Sequence, residues 1–155
     1  MCCDGTLFHC VTLQPNDSPR ALTSLGLKVK RRRDQFTFQQ PCPAHRDCNC
    51  QIYGSRPTRC RDFHCRQLLK LADNELTESD VHTAIERAQR ETREVKELLA
   101  QIAPTNPRRS LAQRVANALT TDSPTPAQVA LRAAFKRLEI TLDRDFRVAD
   151  DGHPR

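Results

Sequence analysis

Apolar and polar residues follow two different rhythms along this chain, and the change falls near Asp73. Before it, apolar residues come in short runs broken by turn formers. Thr6-Leu-Phe and Val11-Thr-Leu are strand-like, and Gln14-Pro-Asn-Asp-Ser-Pro19 is a turn cluster. Gln35-Phe-Thr-Phe-Gln alternates apolar and polar residues, the period-two pattern of a half-buried strand. The basic run Lys28 to Arg33 just ahead of it reads as the solvated edge of a hairpin or, as the alternative, as a grip for phosphate.

After Asp73 the period becomes helical. Thr77 with Asp80 three residues on predicts a capped helix start. Val81, Ile85, Ala88, Thr92, Val95, Leu99 and Ile102 then recur at alternating steps of four and three, until Pro104 ends the pattern. Such a stripe packs a long helix on its own domain or, as the alternative, pairs the 81–102 helix with a partner protein. A second helix is predicted over Ser110 to Leu119. A third begins at Thr125, with Pro126 in its first turn and Gln128 as capping partner, and presents Val129, Leu131, Ala134, Phe135 and Leu138. The tail from Ile140 reads as a short strand that then frays. These elements predict an α+β fold: a loop and short-strand module over residues 1–72, and about three helices, one long, over residues 73–155 that pack on it.

Composition sharpens this. Only 37% of the 155 residues are hydrophobic, with no Trp and one Tyr, so a cross-link or metal would help a modest core. The net charge of +6 admits an acidic or nucleic-acid partner, with Lys28 to Arg33 as its contact, but almost no aromatics accompany the charge to stack bases. No secretory signal or apolar span of about 18 residues is visible, which predicts a cytoplasmic protein without a membrane partner.

Five of the eight cysteines, Cys42, Cys48, Cys50, Cys60 and Cys65, crowd one window, and Cys2 and Cys3 stand together at the start. In a reducing compartment such density favours metal ligation over disulfides. The spacing lacks the paired C-x2-C of a zinc ribbon. Arg46, Arg56, Arg59, Arg61 and Arg66 lie among the thiols, where positive charge would favour thiolates. His45 and His64 are additional candidate nitrogen ligands, each with a surface position or one just outside the ligand set as its alternative, and Cys10 and Cys48 are additional candidate sulfurs.

The string Cys50-Gln-Ile-Tyr-Gly-Ser-Arg-Pro-Thr-Arg-Cys60-Arg-Asp-Phe-His-Cys65 resembles the C-x-I-Y-x-x-R-P-x-x-C-R-x-F-x-C signature of the YkgJ-type cysteine-cluster family, a zinc- or iron-chelating domain. Cys2-Cys3 resembles the end of that family's C-x2-C-x2-C-C motif, and Cys42 its cysteine ahead of the signature. The likeness covers roughly the first seventy residues. It lacks the leading C-x2-C, as if Met1 were an internal methionine of a longer protein. The resemblance implies a zinc ion or iron–sulfur cluster held by Cys2, Cys3, Cys42, Cys50, Cys60 and Cys65. Tyr53, Arg56, Pro57, Arg61 and Phe63 would support that site. It also implies a second reading, kinship with the cysteine region of flagellin lysine N-methylases. The chain gives this enzyme reading little support, with four glycines and no glycine-rich nucleotide loop.

Overall fold

The computed structural model describes residues 1–102, 106–120 and 123–148. The fold is α+β, with six α-helices and five short strands among the described residues. Contacts divide these residues into two compact units. One is built on Met1–Phe63 with Pro107–Ser110, the other on His64–Asn106 and Leu111–Ala149. The division thus falls between Phe63 and His64, ahead of the change at Asp73, and the segment Pro107–Ser110 joins the first unit.

In the first unit a three-stranded antiparallel sheet has the order β1 (Cys10–Thr12), β3 (Gln35–Gln39), β2 (Lys30–Arg32). Val11 sits opposite Phe38, and Arg31 opposite Phe36. The basic run therefore forms an exposed edge strand, where cationic side chains discourage pairing with another sheet. Phe38 is buried and Phe36 exposed, with the Arg31 guanidinium 6.0 Å from the Phe36 ring centre. Helix α1 (Pro19–Ser24) is capped by Ser18 and has a proline in its first turn, and it adds Leu22 to a core of Val11, Leu13, Leu27, Phe38 and Ala44. The expected turn stands, closed by Asp17 N donating to Gln14 O at 3.0 Å, and the helix that starts at its last residue, Pro19, is not among the expected elements. Thr6, Leu7 and Phe8 are buried, but in turns rather than a strand. Their chain reverses at Gly5, whose φ of +79° suits glycine, and a Cβ there would lie 3.1 Å from Ser110 Cα and 3.2 Å from Pro41 N.

The second hairpin, β4 (His45–Arg46) and β5 (Asn49–Cys50), turns on Asp47 and Cys48, both at positive φ. Beyond a 3-10 turn at Tyr53–Ser55 comes α2 (Thr58–Asp62). Pro57 precedes α2, and Arg56 before it is extended as a residue ahead of proline must be. Asp17 holds this helix to the Gln14 turn. Its carboxylate accepts from Thr58 N at 2.8 Å, Thr58 Oγ1 at 2.9 Å and Gln14 N at 2.8 Å.

The second unit is helical: α3 (Arg66–Ala72), α4 (Glu78–Ile102), α5 (Leu111–Ala118) and α6 (Pro126–Asp145). Thr77 and Asp80 exchange the reciprocal bonds of a capping box at the start of α4. The buried stripe of α4 is Val81, Ala84, Ala88, Thr92, Val95 and Leu99; Ile85 and Ile102 are only half-buried. Ala88 and Thr92 weaken a coiled-coil seam but allow close approach of α6, against which α4 chiefly packs. Thr92 satisfies its hydroxyl on Ala88 O at 2.7 Å. The stripe is thus covered inside the unit. The stop at Pro104 lies outside the described residues.

At α6 the expected cap is present, with Thr125 and Gln128 bonded reciprocally. Two expectations are corrected here. Val129 is 55% exposed, and the buried face is Gln128, Leu131, Ala134, Leu138, Thr141, Leu142 and Asp145. The stretch from Ile140 to Asp145 continues the helix instead of forming a strand. Its β-branched Ile140 and Thr141 favour strand locally. Leu142, however, extends the buried series Leu131, Ala134 and Leu138 by one more helical step, and packing outweighs a preference of tenths of a kcal/mol. The fraying tail, from residue 149, lies outside the described residues. Arg66 closes the far end of α6: its guanidinium donates to Arg147 O at 3.2 and 2.9 Å, and its backbone N–H to Phe146 O.

Candidate metal centre

Four of the six sequence-predicted thiols come together in the first unit. Cys3 follows the N-terminus, Cys42 precedes β4, Cys50 ends β5 and Cys60 lies in α2. Backbone bonds bring the first three of these stretches into register. Cys42 N donates to Cys3 O at 2.8 Å, His45 N to Cys42 O at 3.0 Å, and His45 pairs with Cys50 across the hairpin. Cys42 and Cys60 pack beside the core with Ile52.

The electrostatics report the same grouping. Burial pushes the Cys60 thiol up to about 12, reinforced by Cys3, Cys42 and Cys50 and opposed by Arg56. Burial likewise raises Cys3, with Cys50 adding to it. Burial also raises Cys42, as do Cys3 and Cys50, against N–H groups of Ala44 and His45 that lower it. The other three sulfurs thus oppose formation of the Cys60 thiolate, and Cys50 opposes that of Cys3 and Cys42. This corrects the expectation that interleaved arginines would favour thiolates, because burial dominates and, of those arginines, Arg56 alone opposes it at both Cys3 and Cys60. Most of the other arginines have structural partners. Arg59 donates to the Gln14 amide oxygen, in the orientation that satisfies both groups. Arg61 donates to Thr58 Oγ1 at 3.3 Å, and Arg66 caps α6.

Among the described residues, no group of three or more His, Cys, Asp or Glu side chains stands ready to hold a metal ion. Electrostatic coupling acts over several ångströms, whereas a zinc–sulfur bond is about 2.3 Å. The four thiols therefore share one region without forming a coordination sphere. The donor set itself, four half-buried sulfurs that would repel as thiolates, is one that a cation would compensate, and its chemistry fits zinc or an iron–sulfur cluster.

The remaining candidates are distributed differently. Cys2 is exposed, and Cys48 is exposed at the hairpin tip. Cys10 lies in β1 opposite Gln39, its thiol raised by burial and lowered by Arg32. Cys65 and His64 belong to the second unit, where Cys65 precedes α3 as its N-cap residue. No disulfide joins any of the eight cysteines. Among the supporting residues, Phe63 meets Phe8 edge to face at 5.1 Å. Tyr53 is 66% exposed, so it does not pack around the thiols as a supporting residue would. Instead it carries the Arg56 guanidinium 3.7 Å from its ring centre, and Arg56 Nε donates to Tyr53 O. Asp17, the clasp of α2, escapes sequence reasoning, and only its place in a turn cluster points to it.

Comparison with known proteins gave no matching family model, no similar curated protein and no matching solved structure. No helix among the described residues is long and apolar enough to cross a membrane.

Proposed function

We propose that this chain is a metal-binding protein of the YkgJ cysteine-cluster type, holding zinc or an iron–sulfur centre through Cys3, Cys42, Cys50 and Cys60. The observation that carries this reading is the convergence of four thiols, from four separate stretches of chain, into one electrostatically coupled, half-buried group. Cys2 and Cys65 enter the ligand set through the resemblance alone. Zinc would supply closed structural coordination, and an iron–sulfur cluster would supply one-electron redox chemistry. The chain's own contribution is to gather the sulfurs, keep water partly away, and place Arg56 beside the anionic group. Raised thiol pKa values mean that binding must expel protons, so affinity rises with pH. A reducing compartment such as the cytoplasm keeps such thiols available.

The test is metal and acid-labile sulfide content on protein purified without oxygen, with a visible spectrum. Stoichiometric zinc, or iron with sulfide, supports the reading. Cys60→Ser and Cys42→Ser should each lose metal, while Cys48→Ser retains it. Equal metal content in all three variants, or none in the parent protein, overturns it.

A further inference from the structure

A cleft of about 560 Å³ lies in the first unit beside the second hairpin, and the described residues that line it include two lysines and three arginines. Lys28 and Lys30 reach it from the edge strand and the segment before it, Arg46 from β4, and Arg108 and Arg109 from the segment Pro107–Ser110. No Asp or Glu among the described residues lines it. Nor, among those residues, does any carboxylate form an ion pair with Lys28, Lys30, Arg46 or Arg109, all of which are exposed. Like charges brought together from separate parts of the sequence repel one another, and a bound anion would relieve that repulsion. In sequence the basic run reads as a solvated edge. The fold adds a wall of arginines facing part of it.

We propose that this cleft binds a small polyanion carrying at least two phosphate groups. Its volume is that of a small-molecule site, and three prolines, Pro41, Pro43 and Pro107, give it walls that lose little freedom on binding. Arginine pairs phosphate oxygens through two parallel N–H groups, and lysine adds point charge. Among the described residues no Phe, Tyr or Trp lines the cleft to stack the bases of a nucleic acid. The ligand is therefore recognised by its phosphates.

Strand geometry provides an internal control. Side chains alternate across β2, so Lys30 enters the cleft while Arg31 lies over Phe36 and donates from Nε to Arg33 O. Lys30→Glu and Arg31→Glu thus change net charge equally but only the first alters the cleft. Titration calorimetry of the full chain with inorganic triphosphate, and separately with adenosine triphosphate, should give saturable one-to-one binding at about 50 mM salt. The two affinities should agree within about threefold, as phosphate recognition requires. Lys30→Glu and Arg109→Glu should each weaken binding at least tenfold, and Arg31→Glu less than threefold, with metal content unchanged in all three. Absence of saturable binding, equal weakening by Lys30→Glu and Arg31→Glu, or binding of single-stranded RNA without binding of triphosphate would overturn it. Metal content is a separate readout, so failure here leaves the thiol reading standing and the converse also holds.

Discussion

Asp17 is the most informative single position for the integrity of the thiol-bearing unit. Its carboxylate accepts three hydrogen bonds, two from Thr58 at the first turn of α2 and one from Gln14 N. Thr58 N is among the N–H groups that a helix start leaves without intrahelical partners. Burial pushes the Asp17 carboxyl up, but the bonds from Thr58 and Gln14, with Arg61 nearby, outweigh it and leave the group below its ordinary value. Asp17→Asn keeps the size, removes the charge and turns one accepting oxygen into an NH2 that must face a donor. Hydrogen bonds to a charged group contribute about 1.5–3 kcal/mol each, and partial exposure reduces the sum, so a loss of about 2 kcal/mol is expected. That corresponds to about a 30-fold rise in opening of the clasp. In metal-free protein the assay is labelling of Cys60, two residues beyond Thr58, by a thiol reagent, followed by mass spectrometry of its peptide. When closing outpaces labelling, the rate tracks the open population and should rise by the same factor. The pH dependence has a determined sign. A carboxyl with a folded pKa below its unfolded one stabilises fully above about pH 4 and loses that contribution as pH falls through the folded value. The advantage of the parent over Asp17→Asn in urea unfolding should therefore be full at neutral pH and vanish in acid. Labelling rates within twofold of each other, or an advantage that persists in acid, would refute the clasp.

Three further outcomes follow from other parts of the fold. Thr125→Ala removes the hydroxyl half of the α6 capping box and should cost about 1 kcal/mol, read from thermal unfolding. Arg147 is buried and holds Glu139 at 2.9 Å and Asp143 at 3.0 Å; both carboxylates still reach solvent, so Arg147→Ala should destabilise by about 1–2 kcal/mol in urea titration. Gly5→Ala should destabilise more than Gly26→Ala, since both have positive φ but only Gly5 has backbone atoms within 3.2 Å of the new Cβ; equal losses of about 1 kcal/mol would mean the neighbours yield freely.

What is legible in the sequence follows from the range over which each signal acts. Caps are local chemistry, and both helix starts marked by Thr77 and Thr125 stand where side chains three residues apart can bond. Period is also local, so α4 and α6 can be read from it, although it cannot choose between Ala84 and Ile85 as the buried neighbour, since the two differ by one helical step. The short helices α1, α2 and α3 carry too few turns for period to show. Thr6-Leu-Phe resembles a strand because it is short, apolar and begins with a β-branched residue, and that composition does not separate a buried irregular segment from a strand.

The thiols divide along the same line. Their number and type are local facts, and these alone point to metal chemistry. Which of them share a region depends on turns and backbone bonds between distant segments, such as Cys42 N to Cys3 O, and no spacing rule contains those. The charge balance is hidden for the same reason. Arginines adjacent to the thiols in sequence look able to lower their pKa, yet Arg59 is held by Gln14, Arg61 by Thr58 and Arg66 by the end of α6, leaving burial to dominate. Meanwhile Arg108 and Arg109, far along the chain from the cysteine window, return to its hairpin and line the cleft beside Cys42. Chemistry at this site is set by which charges the fold brings back, so charge reversal at Arg109, remote in sequence, should affect anion binding more than reversal at Arg31, which lies next to Lys30.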